Sequence, residues 1–200
     1  MDMILVLVIA YLIGSIPSGL WIGQIFYKTD IRKHGSGNLG ATNTFRVLGK
    51  KAGIAVTLMD ILKGTAATLL PTIAVFSNSG VHPLIAGVVA VFGHMYPIFA
   101  GFRGGKAVAT SAGILLGYHW PIFVLLVLAF LLCLKVYKMV SLASMFAAVV
   151  AFIYALIYAI LEKEYLLLII ITIIVVFIFY RHRSNISRIK HGTEPKITWL

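Results

Sequence analysis

Residues 107–134 read AVATSAGILLGYHWPIFVLLVLAFLLCL, 28 residues without Lys, Arg, Asp or Glu. A helix crosses a bilayer in ~20 residues, so the run is long for one crossing and short for two. Its middle holds Gly117-Tyr118-His119-Trp120-Pro121, a turn-forming cluster with the Tyr and Trp that favour a membrane–water interface. The flanking charges decide between the two readings. If the run is two short helices, segments 28–51, 103–106, 135–138 and 181–196 all face one side, with six, two, two and five of the 17 Lys and Arg residues. Only Lys163 then faces the other side, and Lys63 lies within a span. If the run is one helix, the cations divide almost evenly. The positive-inside rule selects the first arrangement. The sequence therefore predicts an all-α, polytopic membrane protein of seven transmembrane helices, two of them short, with the N-terminus outside and the C-terminus cytoplasmic.

The rest of the chain agrees with this reading. Residues 3–27, 53–76, 83–100, 139–161 and 165–180 supply the other five spans, separated by turn-forming or charged connectors such as Ser77-Asn78-Ser79-Gly80 and Glu162-Lys163-Glu164. Hydrophobic residues make up 60% of the chain and charged ones 12%, with mean hydropathy +1.00. A soluble domain carries roughly twice that charged fraction, so soluble, disordered and disulfide-scaffold classes are excluded. No polar stretch is long enough to fold separately, and one domain over residues 1–200 is expected. Nothing basic precedes the first apolar run, so a cleaved signal peptide is not expected. Cys133 is the single cysteine, which rules out an intrachain disulfide and a cysteine metal site. The net charge of +11 sits in short segments between spans. It therefore sets orientation and attracts lipid headgroups or anionic substrates, and no nucleic-acid partner is expected.

Four cytoplasmic segments carry the unusual polar residues. In the loop after the first span, Gly35, Gly37 and Gly40 stand among Ser36, Asn38, Thr42 and Asn43, with Arg46 following. Such glycines let backbone N–H groups turn inward as an anion nest, and an arginine grips phosphate through two parallel N–H bonds. In the second segment, Gly93-His94 leads to Phe102-Arg103-Gly104-Gly105-Lys106 at the start of an apolar helix. There, free N–H groups, a helix dipole and an ammonium would meet an anion. His94 lies within a span, as a functional group or as a neutral imidazole satisfied by a carbonyl. In the third, Ser141 opens a helix as a cap or a ligand donor. The fourth is Tyr180–Glu194, a basic juxtamembrane stretch that either binds anionic lipid or, through Asn185, His191, Gly192 and Glu194, does something more specific. Asp60 and Lys63, three residues apart inside a span, are expected to neutralise each other.

Several catalytic signatures are missing. No histidine is followed five positions later by aspartate, no Gly-x-Ser-x-Gly elbow occurs, and no acidic cluster is available to hold a metal. An enzyme with this inventory works by positioning anionic substrates and stabilising charge, on a substrate whose leaving group is already good. A phosphate transporter would need polar residues crossing to the far side, which the apolar spans do not supply. A scaffold reading leaves the glycine motifs unexplained.

Ser36-Gly37-Asn38-x-Gly40-x-x-Asn43 with Arg46, Gly93-His94 with Phe102-x-Gly104-Gly105-Lys106, and Asn185-x-x-Arg188-x-x-x-Gly192-x-Glu194 together resemble the three cytoplasmic motifs of the bacterial acyl-phosphate:glycerol-3-phosphate acyltransferases. The resemblance spans essentially the whole chain. It implies transfer of a fatty acyl group from acyl phosphate to the 1-hydroxyl of sn-glycerol 3-phosphate, giving lysophosphatidic acid and phosphate at the cytoplasmic face of the bacterial inner membrane. It also implies a soluble partner enzyme that makes the acyl phosphate, membrane lipid as surroundings, and neither cofactor nor metal. On this basis Ser36, Arg46, Lys106 and His191 are the catalytic candidates. The substrate-binding candidates are Gly37, Asn38, Gly40, Thr42, Asn43, His94, Phe102, Gly104, Gly105, Ser141, Asn185 and Arg188. Gly192 and Glu194 are expected to be structural residues near the site. The general base is either a neutral His191 or a phosphate oxygen of the substrate.

Overall fold

The computed structural model describes residues 2–197, and among these every regular element is a helix. The backbone separates into two compact units, Met1–Tyr118 and His119–Leu200. The boundary falls inside the run quoted above.

The first unit holds α1 (Asp2–Gly14), α2 (Ser18–Tyr27), α3 (Ala41–Leu48), α4 (Lys50–Leu69), α5 (Pro83–Met95) and α6 (Val108–Tyr118). Residues 3–27 read as one span, yet the structure breaks them into α1 and α2 with a 47° bend. The cause is Pro17, which cannot donate to the helix ladder and pushes Ile16 out of helical backbone. The span read as 53–76 starts three residues earlier, at Lys50, and loses its regular helix at Leu69, just before Pro71. Likewise α5 stops at Met95, two residues before Pro97. Inside the unit, α4 packs against α6 and α1 against α5. The approach of α4 to α6 is close because glycines line it: a Cβ on Gly64 would collide with the Thr110 carbonyl, and one on Gly113 with the Ile61 carbonyl. Small residues at contacts of this kind are how apolar helices pack without a hydrophobic driving force.

The second unit holds α7 (Trp120–Tyr137), α8 (Val140–Glu162), α9 (Tyr165–Arg181) and α10 (Arg183–Lys190). The helix break falls at His119, within the cluster read as a turn, where Pro121 is accommodated in the first turn of α7. Two short helices were expected in 107–134, but only α6 is short, with 11 residues. The other continues to Tyr137 and is 18 residues long, because the charge-free run ends at Lys135 while the helical backbone does not. Among the described residues, four stretches are long and apolar enough to span alone: Lys50–Thr72, Pro83–Ala100, Trp120–Tyr137 and Val140–Glu162. The bent pairs α1–α2 and α9–α10, the latter at 57°, bring that number to six.

Candidate functional site

The loop between α2 and α3 is built by its own side chains. The Asp30 carboxylate accepts the Arg32 backbone N–H at 3.0 Å and grips the Arg32 guanidinium, with Nη2 at 2.7 Å. That guanidinium holds the Asp30 carboxyl below its ordinary range. Asn43, 1% exposed, donates from Nδ2 to the carbonyls of Ile31 and His34, both at 3.1 Å, and accepts the Ser36 N–H at 2.9 Å. Its amide is thus spent on the loop, whereas the sequence suggested a ligand-binding group. The Gly37 N–H donates to the His34 carbonyl at 3.0 Å, and the Gly40 N–H to Asn38 Oδ1 at 2.9 Å. The expected nest of inward N–H groups is therefore not formed by Ser36, Gly37 or Gly40. These donors close turns instead, and Gly35 and Gly37 are needed for their positive φ of 60° and 67°. What the loop presents outward is the exposed side chains of Ser36, Thr42 and Arg46.

The second motif folds back onto the end of α5. Gly104 N–H donates to the Met95 carbonyl at 3.1 Å and Gly105 N–H to the His94 carbonyl at 3.2 Å. These two amides satisfy helix-terminal carbonyls, which corrects the expectation that they face a ligand. The glycines serve close approach. A Cβ on Gly104 would collide with the His94 carbonyl, and one on Gly105 with the His94 imidazole. Phe102 is exposed, and Lys106 is half-buried two residues before α6.

Behind this turn lies a cluster that sequence reading found only in part. Asp60 and Lys63 pair at 2.7 Å as expected. Ser18 Oγ also donates to Asp60 at 2.8 Å, Lys63 Nζ to the Ile16 carbonyl at 2.8 Å, and His94 Nδ1 stands 3.7 Å from Asp60. Ser18 and His94 are 42 and 34 positions from Asp60, and no local spacing announces either. The narrow cleft lined by Ser18, Asp60, Lys63, His94, Gly104 and Gly105 has room for about one water molecule.

In the second unit three side chains converge on Glu194. Its carboxylate accepts Ser141 Oγ and Asn185 Nδ2, both at 2.6 Å, and Arg188 Nε at 2.7 Å. Burial alone would raise its pKa, but hydrogen bonds from Ser141, Asn185 and Arg188 prevail and hold it below the ordinary range. Ser141 does not cap α8, whose N-cap is Met139; its hydroxyl goes to Glu194. Asn185 likewise spends a donor on Glu194. Arg188 uses Nε there and keeps its fork half-exposed. Gly192, with φ of 70°, turns the chain after α10 so that Glu194 reaches back. His191 is exposed, with Nδ1 2.8 Å from the Ser187 carbonyl. A carbonyl only accepts, so Nδ1 carries the proton and a neutral ring keeps its lone pair on Nε2. Among the described residues no group of three His, Cys, Asp or Glu could hold a metal ion.

Residues 4–192 match the profile of the glycerol-3-phosphate acyltransferase family. Among curated relatives, the glycerol-3-phosphate acyltransferase of Listeria welshimeri is 55% identical over 199 residues, covering 100% of this chain and 98% of the relative. That of Bacillus subtilis is 53% identical over 196 residues, covering 98% of each. Among solved structures, the chain resembles PlsY (YgiH), an integral membrane glycerol 3-phosphate acyltransferase, in its glycerol 3-phosphate form. The identity is 36% and the TM-score 0.88, over 99% of this chain and 96% of that one. The lysophosphatidic acid form of that protein matches at 35% identity and a TM-score of 0.85, with the same coverage.

Proposed function

The chain belongs to the glycerol-3-phosphate acyltransferase family, and from that premise we propose that it transfers a fatty acyl group from acyl phosphate to the 1-hydroxyl of sn-glycerol 3-phosphate. The products are lysophosphatidic acid and inorganic phosphate. The observation that carries the acceptor is the full-length likeness to a structure in a glycerol 3-phosphate form. The donor is supported by the chemistry of the motifs: cationic and hydroxylic side chains, with no His-x4-Asp dyad. The acyl C–O ester bond forms as the acyl carbon–phosphate oxygen bond breaks. Phosphate is a competent leaving group, and its oxygen takes the hydroxyl proton.

In this reading Ser36, Thr42 and Arg46 on the first loop, Lys106 at the entry to α6, and Arg188 and His191 on the last helical segment hold substrate phosphates. Lys106 is assigned to glycerol 3-phosphate. Asn38, Asn43, Gly104 and Gly105 shape the loops on which those groups stand, and Ser141, Asn185 and Glu194 fix the helix carrying Arg188. The protein is a multi-pass membrane acyltransferase. We assign it seven spans, counting α6 as one, with the motif segments cytoplasmic, in the bacterial inner membrane. The whole chain is taken as one functional domain served by a soluble enzyme that makes acyl phosphate. Purified full-length protein in detergent, given a synthetic acyl phosphate, should release phosphate and form lysophosphatidic acid only when glycerol 3-phosphate is present. Absence of the acylated product would overturn the assignment.

A further inference from the structure

One buried carboxylate oxygen joins three helices of the first unit. Asp60, on α4 and 2% exposed, receives Ser18 of α2 and Lys63 of its own helix on Oδ1, with His94 of α5 facing the same oxygen at 3.7 Å. Apolar side chains of similar volume generally hold a core as well as a buried ion pair does, because desolvating two charges offsets their attraction. Stability alone therefore does not explain charge at this depth. The Lys63 ammonium also satisfies the Ile16 carbonyl at the α1–α2 break, which accounts for the lysine but not for the imidazole facing the same oxygen.

That imidazole leads to the second motif. His94 lies directly against Gly105, where a Cβ would collide with it, and the backbone carbonyl of the same histidine holds the Gly105 N–H. The turn is bracketed by two non-glycine residues in left-handed backbone, Phe102 at φ 59° and Ala107 at φ 60°. Such conformations are costly for residues with a side chain and persist only where the surroundings over-determine them. Between them, Gly105 rests against the His94 imidazole. The cleft beside it has room for about one water molecule, and the cluster meets the turn through His94.

We infer that Asp60 is a positioning residue: it orients the His94 imidazole, and His94 seats Gly104 and Gly105 so that Lys106 leaves the turn in a fixed direction. The inference rests on the assignment of Lys106 to the phosphate of glycerol 3-phosphate. Full-length Asp60→Asn, His94→Gln and Lys106→Ala proteins, checked for folding by thermal unfolding in detergent, would be assayed with each substrate varied in turn. Asp60→Asn and His94→Gln should raise KM for glycerol 3-phosphate at least about tenfold, with kcat and the acyl phosphate KM within about threefold. The two changes together should be no worse than the more severe one, because they act in series. A glycerol 3-phosphate KM within about twofold of the parent in both variants would overturn the inference. So would a fall in kcat with both KM values unmoved, the mark of a merely structural role. Lys106→Ala separates the two levels. If it raises the glycerol 3-phosphate KM while the others do not, only the inference fails; if it leaves that KM unchanged, the assignment of Lys106 fails and the inference with it. Should Asp60→Asn not fold, His94→Gln, which keeps the Asp60–Lys63 pair and the Ser18 bond, decides on the same outcomes.

Discussion

His191 shows how a single residue's surroundings define its role. It sits after the last turn of α10 with Nδ1 bound to the Ser187 carbonyl, so Nε2 is the atom it offers to a substrate. Neutral, that atom accepts a proton; charged, it donates to phosphate. Among the described residues its ring is held by a carbonyl and not by a carboxylate, unlike the His94–Asp60 pair, and a neutral carbonyl does less to stabilise the imidazolium that a general base becomes. We therefore expect His191→Ala to lower kcat/KM by roughly 10–100-fold, the value of one charge-assisted hydrogen bond at ~1.5–3 kcal/mol. The check is steady-state kinetics at fixed pH with each substrate varied in turn. Complete loss of activity in a folded variant would instead assign the base to His191. The histidine itself was legible from composition and motif. Its tautomer was not, because a carbonyl four residues back becomes a partner only once the chain is helical.

At the scale of elements, sequence and structure part company at helix ends and turns. The apolar runs foretold the helical class and most spans, since period and length survive folding. The bend at Ser15–Pro17 was equally open to reading, as Pro17 stood in view, yet an uncharged run of residues disguised it. The glycines of the first two motifs were visible too, but their amides serve turns and helix ends, a matter of backbone geometry that composition does not encode. Lys63 illustrates the energetic side. Replacing it with Met leaves the Asp60 charge buried beside Ser18 and His94 and frees the Ile16 carbonyl. Loss of one partner of a buried pair costs ~3–5 kcal/mol, so the Lys63→Met protein should melt well below the parent in detergent. The Asp60→Asn/Lys63→Met double variant should recover part of that loss; a melt no better than that of the single variant would deny the pairing. In the second unit Glu194 ties the start of α8 to α10. Its pKa is lowered on folding, so its stabilisation is present above the ordinary value of 4.5 and drains away as pH falls through the lowered folded value. Glu194→Gln should cost about 2 kcal/mol at pH 7 and flatten the acid limb of the thermal stability profile. An acid limb unchanged from the parent would exclude Glu194 as its source.

At the scale of the molecule, the distribution of cations is what bears on how each unit faces a bilayer. The expected arrangement puts Ser36 and Lys190 on the same side, since 28–51 and 181–196 hold eleven of the 17 Lys and Arg residues between them, and puts Lys163 on the opposite side. Short cytoplasmic loops retain cations because the membrane potential and anionic lipids oppose their export. The assignment depends on α6, whose 11 residues rise only about 16 Å at 1.5 Å each, short of a ~30 Å hydrocarbon core. If α6 does not count as a crossing, everything from Trp120 onward inverts and the segments at 135–138 and 181–196 move outside. Single cysteines at Ser36, Lys163 and Lys190, in a chain whose buried Cys133 is replaced by serine, would separate these cases. In intact cells an impermeant maleimide should label the cysteine at 163 alone, and permeabilised cells should admit labelling at 36 and 190. Labelling at 190 without permeabilisation would invert the second unit and remove His191, Arg188 and Asn185 from any cytoplasmic substrate, leaving the first unit's Arg46 and Lys106 to hold both phosphates.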